Sequence, residues 1–159
     1  MQLVDIFQGL GEDAFRELLG QISLGRLKTY QLYEAVKVRM HLTKLNAETL
    51  RKATPRLWGR IAQGDEAFAA ELSQAILVSK LDAVIEVLNF LGIPHNEGFF
   101  DKDTDLASFL PEGWQERVYE EFKGKYAAAL LAFYLNHLAK ESTDGAATLF
   151  LPSEPTPAA

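Results

Sequence analysis

Apolar residues recur every three or four positions along nearly the whole chain, and this spacing is the feature that most constrains its fold. Side chains spaced in this way line one side of an α-helix, whereas a strand shows alternation with a period of two. No sustained alternation lies between hairpin turn signals. The sequence therefore predicts an all-α protein, a compact helical bundle or array of about six or seven helices.

The longest uninterrupted helical pattern covers residues 66–91. Gly64 and Asp65 precede it, and Gly92 followed by Pro94 ends it in the way that helices commonly end. Its main apolar stripe alternates steps of four and three and consists of Leu77, Leu81, Val84, Leu88 and Leu91. Such a stripe is typical of core packing. The pattern predicts one long central helix that other helices surround.

Residues 26–45 form a second helical pattern, with apolar side chains on two opposed faces. A helix of this type is normally packed between neighbours, which favours an array of helices. Asn46 is a suitable N-cap for the helix that follows, and Thr54 followed by Pro55 has the signature of a further helix start. The residues therefore predict a new helix beginning at Pro55.

The length of 159 residues fits one domain, which we expect to span residues 1–141. Residues 142–159 are rich in Ala, Thr, Ser and Pro, a composition typical of a disordered C-terminal tail. Leu149, Phe150 and Leu151 form an apolar interruption in this composition. We therefore expect residues 149–151 to dock the tail onto the helical body or onto a neighbouring chain.

Cysteine is absent from the sequence, which excludes disulfides, thiolate metal sites and cysteine nucleophiles. The first residues lack the basic start and the long apolar run of a secretory signal. The most apolar stretch, residues 126–135, is far shorter than the roughly 20 residues that a bilayer span requires. We therefore expect a cytoplasmic protein without a membrane span.

Charge is distributed unevenly along the chain, whose overall net charge is −6. Residues 1–25 carry −3 and residues 61–159 carry −10, whereas residues 26–60 carry +7 from nine bases and two acids. Six of these bases have helical spacing that places them on shared faces. These predicted binding residues are Arg26, Lys37, Lys44, Lys52, Arg56 and Arg60.

Three interpretations of the basic residues remain open at the level of sequence. They can pair with acidic helices of the same chain or of a second copy, which contributes little to stability at exposed positions. They can attract an anionic protein or a lipid surface. They can also bind the phosphates of DNA or RNA by counterion release. The residue types do not separate these uses, because base-reading side chains are also ordinary surface residues.

The longest irregular segment contains an acidic cluster with partial resemblance to a calcium-binding loop. Asp101, Asp103, Asp105 and Glu112 occupy ligand positions of such a loop, but Leu106 stands where the sharp turn requires glycine. We therefore expect Asp105 to cap a short helix and the other acids to be solvated. Binding of a metal ion is not expected.

Residues 93–111 also include His95, which we expect to be exposed beside Glu97. A general acid–base role for it would need a perturbed pKa, which sequence does not reveal. Phe99 and Phe100 either pin this loop to the core or form an exposed patch for a partner, and the first is favoured. Long loops in compact domains are often functional, so the segment remains a candidate site.

Catalytic signatures are not found, because the nucleophile-elbow, phosphate-loop and dinucleotide motifs are all missing. Strong core patterning without them favours a non-enzymatic interaction protein that binds a protein partner or a second copy of itself. The alternative is a DNA- or RNA-binding regulator that uses the basic segment 26–60. A metal-assisted hydrolase acting through the acidic loop is the least favoured class. No cofactor is expected.

Overall fold

A computed structural model describes residues 1–143 and 148–152 of the chain. Within these residues it contains α-helices and no β-strand, which confirms the predicted compact all-α array. The helices are α1 (Leu3–Leu10), α2 (Glu12–Leu19), α3 (Leu24–Thr29), α4 (Tyr33–Arg39), α5 (Ala47–Ala62), α6 (Glu66–Ser79), α7 (Leu81–Leu91), α8 (Trp114–Phe122) and α9 (Ala128–Thr143). A single 3-10 turn, Leu106–Phe109, lies between α7 and α8.

The helices outnumber the expected six or seven because two long patterns are each divided. Residues 26–45 are not one helix: α3 ends at Thr29, and Gln31 has a φ of 59°. A left-handed residue of this kind ends a helix, and Leu32 N then donates back to Leu27 O at 2.7 Å. The break lets Leu27 from one apolar face and Val36 from the other both become buried.

The predicted helix over residues 66–91 is divided at Lys80, whose φ and ψ are −127° and 41°. Just before it, Ser79 Oγ donates to Ala75 O at 2.7 Å and accepts from Ser23 N at 2.8 Å. A hydroxyl that bonds to the carbonyl four residues back bends a helix. The second contact ties this bend to the start of α3. Both halves of the pattern, α6 and α7, still lie in the core.

The structure corrects the helix start predicted at Thr54 and Pro55, because α5 runs without a break through both residues. Thr54 Oγ1 does not cap a helix; it donates to Leu50 O at 2.8 Å. Pro55 has no N–H and leaves the Arg51 carbonyl without its usual helical donor. The cap predicted at Asn46 is present, with Asn46 Oδ1 accepting from the backbone of α5 at 2.9 Å.

The hydrophobic core consists of two clusters, and α9 contributes to both. The first cluster is built mainly from α1, α2, α5 and α6, and in it Phe7 stacks on Phe133 with 5.2 Å between ring centres. The second is built from α7, α8 and the other side of α9, around Val87 and Val118. Leu77 contacts both clusters. The chain is therefore held together along α9, whose residues 129–136 are all buried.

Residues 148–152, which we name the docked segment, lie against this body. Leu149 packs on the first cluster and Phe150 on the second. Predictions for residues 144–147 and 153–159 of the tail lie outside the described residues. Across the described part of the chain, no helix has the length and apolar character needed to cross a membrane.

Candidate functional site

Two of the predicted binding residues cap a neighbouring helix. Arg56 and Arg60 lie one turn apart on α5. Arg56 Nη2 donates to the carbonyl oxygen of Met40 at 2.9 Å, and Arg60 Nη1 donates to that of Arg39. The last carbonyls of a helix lack partners within it, and cationic side chains stabilise that end. Both arginines therefore stabilise the C-terminus of α4.

Arg60 is also held by Asp65 and Phe68. Its Nε and Nη2 donate to Asp65 Oδ2 at 3.1 and 2.9 Å, and its guanidinium carbon lies 4.3 Å from the centre of the Phe68 ring. The Phe68 backbone N–H and the Arg60 guanidinium hold the pKa of Asp65 below its usual value. Only 17% of the Arg60 side chain is exposed, so little of it remains for an external ligand.

The two predicted lysines on helices α4 and α5 form ion pairs one turn away. Lys37 Nζ lies 2.9 Å from Glu34 Oε2, and Lys52 Nζ lies 3.0 Å from Glu48 Oε1. The hydrogen bond from Lys37 to Glu34 raises the pKa of Lys37. Pairs of this spacing contribute little to stability, but they reduce the charge that each lysine presents to a partner.

Arg26 and Lys44 are exposed, and neither forms an ion pair within residues 1–143 and 148–152. The predicted set therefore divides into two open cations, two lysines paired along their own helices, and two arginines bound to α4. The acidic partners of the two lysines, Glu34 and Glu48, belong to the basic segment 26–60 itself. Arg60, in contrast, pairs with Asp65 from the acidic part of the chain.

A cleft of about 430 Å³ lies between α2 and α5, at the start of α3. It is lined by mostly apolar residues: Arg16, Leu19, Gly20, Ile22, Leu24, Ala47, Leu50, Arg51, Thr54 and Pro55. Beyond the cleft, α2 and α5 are joined by Phe15 and Trp58, whose ring centres lie 5.4 Å apart. An apolar cavity with a few polar groups is the usual form of a binding site.

Arg16 and Arg51 supply the positive charge of this cleft, one from each helix. Arg16 Nη1 lies 3.2 Å from Asp13 Oδ1, so part of its charge is balanced by its own helix. Arg51 is exposed and has no ion pair with any described residue. Its carbonyl also lacks a helical donor, because Pro55 follows four residues later. The α5 side of the cleft therefore offers an exposed cation that has no ion-pair partner among the described residues.

Arg51 is one of the nine bases of residues 26–60, but it is not one of the six predicted binding residues. The set was chosen by spacing along each helix, and Arg51 does not share the four-residue spacing of Lys52, Arg56 and Arg60. The available signal was Pro55 inside a helical pattern, because proline in a helix interior marks an irregular and often exposed backbone.

His95 has a structural role within its own loop. His95 Nε2 lies 2.7 Å from Asn89 Oδ1, and the backbone N–H of Gly98 donates to His95 Nδ1 at 3.0 Å. Positive φ angles of 52° at Glu97 and 95° at Gly98 form a tight turn closed by two hydrogen bonds between Asn96 and Phe99. Both ring nitrogens are thus occupied, and the histidine pins the turn to the end of α7.

The other loop groups also have local structural roles. Asp105 occupies the N-cap position of the 3-10 turn, but its side chain makes no capping hydrogen bond there, contrary to expectation. Its carbonyl oxygen accepts a hydrogen bond from Ser108 Oγ at 2.7 Å. Phe100 packs on the second cluster, whereas Phe99 is 52% exposed and lies beside Tyr30. Among the described residues, no three His, Cys, Asp or Glu side chains are grouped closely enough to hold a metal ion.

Comparison with protein-family models, with curated proteins and with solved structures gave no match to this chain. Functional inference therefore rests on the chemistry of the cleft and of the surfaces around it. An apolar floor with an open arginine can bind a ligand that is both apolar and negatively charged.

Proposed function

We propose that this protein is a non-enzymatic interaction protein that binds an apolar, acidic segment of a protein partner in the cleft between α2 and α5. One observation carries the proposal: an apolar cavity of about 430 Å³ that has an arginine on each of its two helices. An acidic segment with apolar side chains matches both features. The apolar side chains would enter the cavity, and the carboxylates would meet Arg16 and Arg51.

The proposed apolar character of the partner segment follows from the residues that line the cleft. Leu19 and Leu50 are buried at the base of the cleft, while Ile22 and Leu24 are partly exposed within it. A volume near 430 Å³ is within the range of roughly 300–1,000 Å³ seen for ligand sites, which is room for a few side chains. Peptides that dock in grooves supply such anchors from one face of a helix.

The proposed acidic character of the partner segment follows from the cations that have no ion-pair partner among the described residues. Arg51 faces solvent in the cleft, and Arg26 lies two residues beyond the cleft residue Leu24. Because no acidic side chain of the described residues pairs with Arg51 or Arg26, an anionic partner would not have to displace one. Complementary charge of this kind speeds association and selects the partner.

Nucleic-acid binding remains the second candidate, because Arg26, Lys44 and Arg51 are exposed cations. The structure weakens it, since Arg56 and Arg60 are bound to carbonyl oxygens of α4 and are not spare for phosphates. It predicts an affinity for duplex DNA or RNA that falls steeply with salt and does not depend on the apolar floor.

Two labelled amphipathic peptides with the same leucine positions test the proposal. One carries glutamate on its polar face and the other carries lysine, and binding is measured by fluorescence anisotropy. We expect the glutamate peptide to bind and the lysine peptide not to bind. Arg51→Glu should weaken binding at least about tenfold, which is about 1.4 kcal/mol. Ala47→Trp, at an exposed position of the lining, should block the cleft.

Lys52→Glu is the matched control, because it reverses a charge on the next residue of α5 outside the cleft lining. It should change the affinity by less than about twofold, or 0.4 kcal/mol. Equal losses in Arg51→Glu and Lys52→Glu would show that only general charge matters. Failure of the wild-type protein to bind the glutamate peptide, together with salt-sensitive binding of duplex DNA, would replace the proposal with its alternative.

A further inference from the structure

The docked segment lies in a groove between α1, α8 and α9. Leu149 and Phe150 contact different hydrophobic clusters, so the segment bridges the two halves of the core. A hollow of about 300 Å³ remains along the segment, beside Glu116 and Tyr119 of α8. An open hollow of the surface thus lies between part of the segment and α8.

Asn136 of α9 holds the backbone of the docked segment at one residue. Its Nδ2 donates to the carbonyl oxygen of Phe150 at 2.8 Å, and its Oδ1 accepts from the Phe150 N–H at 2.7 Å. Nδ2 also donates to Ala132 O at 2.8 Å within the helix. The asparagine side chain is fully buried. It thus pairs with the N–H and the C=O of one residue, as a neighbouring antiparallel strand would.

Gly9 of α1 provides the seat for Leu149. A Cβ atom at this position would lie 2.2 Å from Leu149 Cδ2 and 3.3 Å from its Cγ, so any other residue would force the leucine side chain to shift. Leu149 is partly buried there against the first cluster. The groove therefore combines an apolar seat for one side chain with a polar clamp for the next residue's backbone.

We propose that this groove is a peptide-binding site for an extended segment with two adjacent apolar residues, and that the docked segment is its intramolecular ligand. The clamp selects backbone geometry, because the hydrogen bonds of Asn136 to the docked segment are to the N–H and C=O of residue 150. The seats on Gly9 and on the second cluster select apolar side chains. A segment of the same chemistry from a second chain would make the same contacts.

Occupancy by the chain's own segment hides this site. A tethered ligand has an effective concentration in the millimolar range, so a free peptide of equal intrinsic affinity competes poorly. Removal of the segment would take away the protein partners of two of the three described hydrogen bonds of Asn136. The vacant site therefore gains from a replacement ligand. It shares no lining residue with the α2–α5 cleft, so either proposal can fail alone.

The test uses the full chain with Leu149→Ser and Phe150→Pro combined. Proline lacks the N–H that Asn136 Oδ1 accepts, and serine empties the Gly9 seat. The probe is a labelled, end-capped peptide of residues 148–152, Thr-Leu-Phe-Leu-Pro. We expect it to bind the double variant at least about tenfold more tightly than it binds the wild type, because the wild-type site is occupied.

A second peptide, N-methylated at its phenylalanine, keeps the apolar side chains and lacks the donor. It should bind at least about tenfold more weakly than the first, a difference of about 1.4 kcal/mol. Adding Gly9→Val to the double variant should abolish binding of both peptides. The proposal is wrong if a folded double variant binds neither peptide, or if it binds the two equally well.

If the double variant does not fold, an experiment on the wild-type chain tests the proposal independently. Amide hydrogen exchange of Phe150 is followed while the unlabelled peptide is added in millimolar excess. A competing peptide would release the segment and remove the protection of this amide. Protection that persists at saturating peptide would overturn the proposal.

Discussion

Arg60 lies against the face of Phe68, with its guanidinium carbon 4.3 Å from the ring centre. This contact fixes the side chain in the position from which it binds Asp65 and the carbonyl of Arg39. Arg60 therefore links α4 to the start of α6, in addition to its place on α5. Arg60, which the sequence predicted to bind a partner, therefore connects α4, α5 and α6.

Replacement of Arg60 by Met should destabilise the fold. The variant keeps a long apolar side chain but removes the bonds to Asp65 and to Arg39 O. Hydrogen bonds to charged groups contribute roughly 1.5–3 kcal/mol each, and partial exposure of Asp65 reduces this, so we expect a loss of about 2 kcal/mol in the free energy of unfolding. Urea denaturation measures it. Lys44→Met, at an exposed position, should lose less than about 0.5 kcal/mol.

Alanine at two helical glycines should have opposite effects. At Gly59 of α5 nothing lies within 4 Å of the added Cβ, so Gly59→Ala should stabilise the protein by about 0.5–1 kcal/mol through helix propensity. At Gly9 the same change collides with Leu149 Cδ2 at 2.2 Å. Gly9→Ala should therefore be neutral or destabilising. Thermal unfolding of the two variants side by side decides this, and equal stabilisation would contradict the seat described for Leu149.

Ser79 should be more sensitive to alanine substitution than Ser73, although both are buried on α6 and both donate to the carbonyl four residues back. Among the contacts of the described residues, only Ser79 Oγ also accepts a hydrogen bond from outside its own helix, from the N–H of Ser23. Ser79→Ala leaves that N–H unpaired, at a cost of about 1–2 kcal/mol. Ser73→Ala should cost less than half of that in the same chemical denaturation experiment.

His137 should make the fold sensitive to mild acid. Burial near the rings of Phe133 and Tyr134 lowers the pKa of His137, Glu141 opposes this shift and Lys140 adds to it. The unfolded chain, with the ordinary value of 6.5, then binds more protons than the folded chain. The free energy of unfolding should therefore fall as pH drops below about 6.5, and stop falling below the lowered pKa.

His137→Phe removes the titrating group and should flatten this dependence between pH 7.5 and 5.5, two pH values that lie within the range of roughly 5–8 in which histidine changes charge. Denaturation at the two values measures the slope. His41→Asn is the control, because His41 is exposed and asparagine tolerates its φ of 56°. It should keep the wild-type slope. If His137→Phe leaves the pH dependence of the free energy of unfolding unchanged, another group causes the acid sensitivity.

Local signals in the sequence predicted the ends of helices correctly where no tertiary contact opposed them. Asn46 caps α5 as its residue type predicts, and Gly92 ends α7 with a φ of 75°. The breaks at Gln31 and Lys80 contain neither glycine nor proline, so the apolar pattern continues through them. They depend on contacts with other helices, such as that between Ser79 and Ser23.

The candidate sites depended even more on distant residues. The four-residue spacing of Arg56 and Arg60 is the same whether they face solvent or the end of another helix. Sequence therefore showed that the two lie together but not that α4 lies opposite. The cleft is formed by α2 and α5, and neither helix alone shows a cavity. Composition suggested docking of residues 149–151, whereas the clamp at Asn136 depends on α9.

The stacking of Phe7 on Phe133 has a consequence for synthesis on the ribosome. Translation runs from the N-terminus and releases α1 long before α9 has been made. Until then Ile6 and Phe7, both fully buried in the finished fold, have no α9 to cover them. The apolar face of α1 therefore stays uncovered until α9 emerges, which makes it a binding target for chaperones during synthesis.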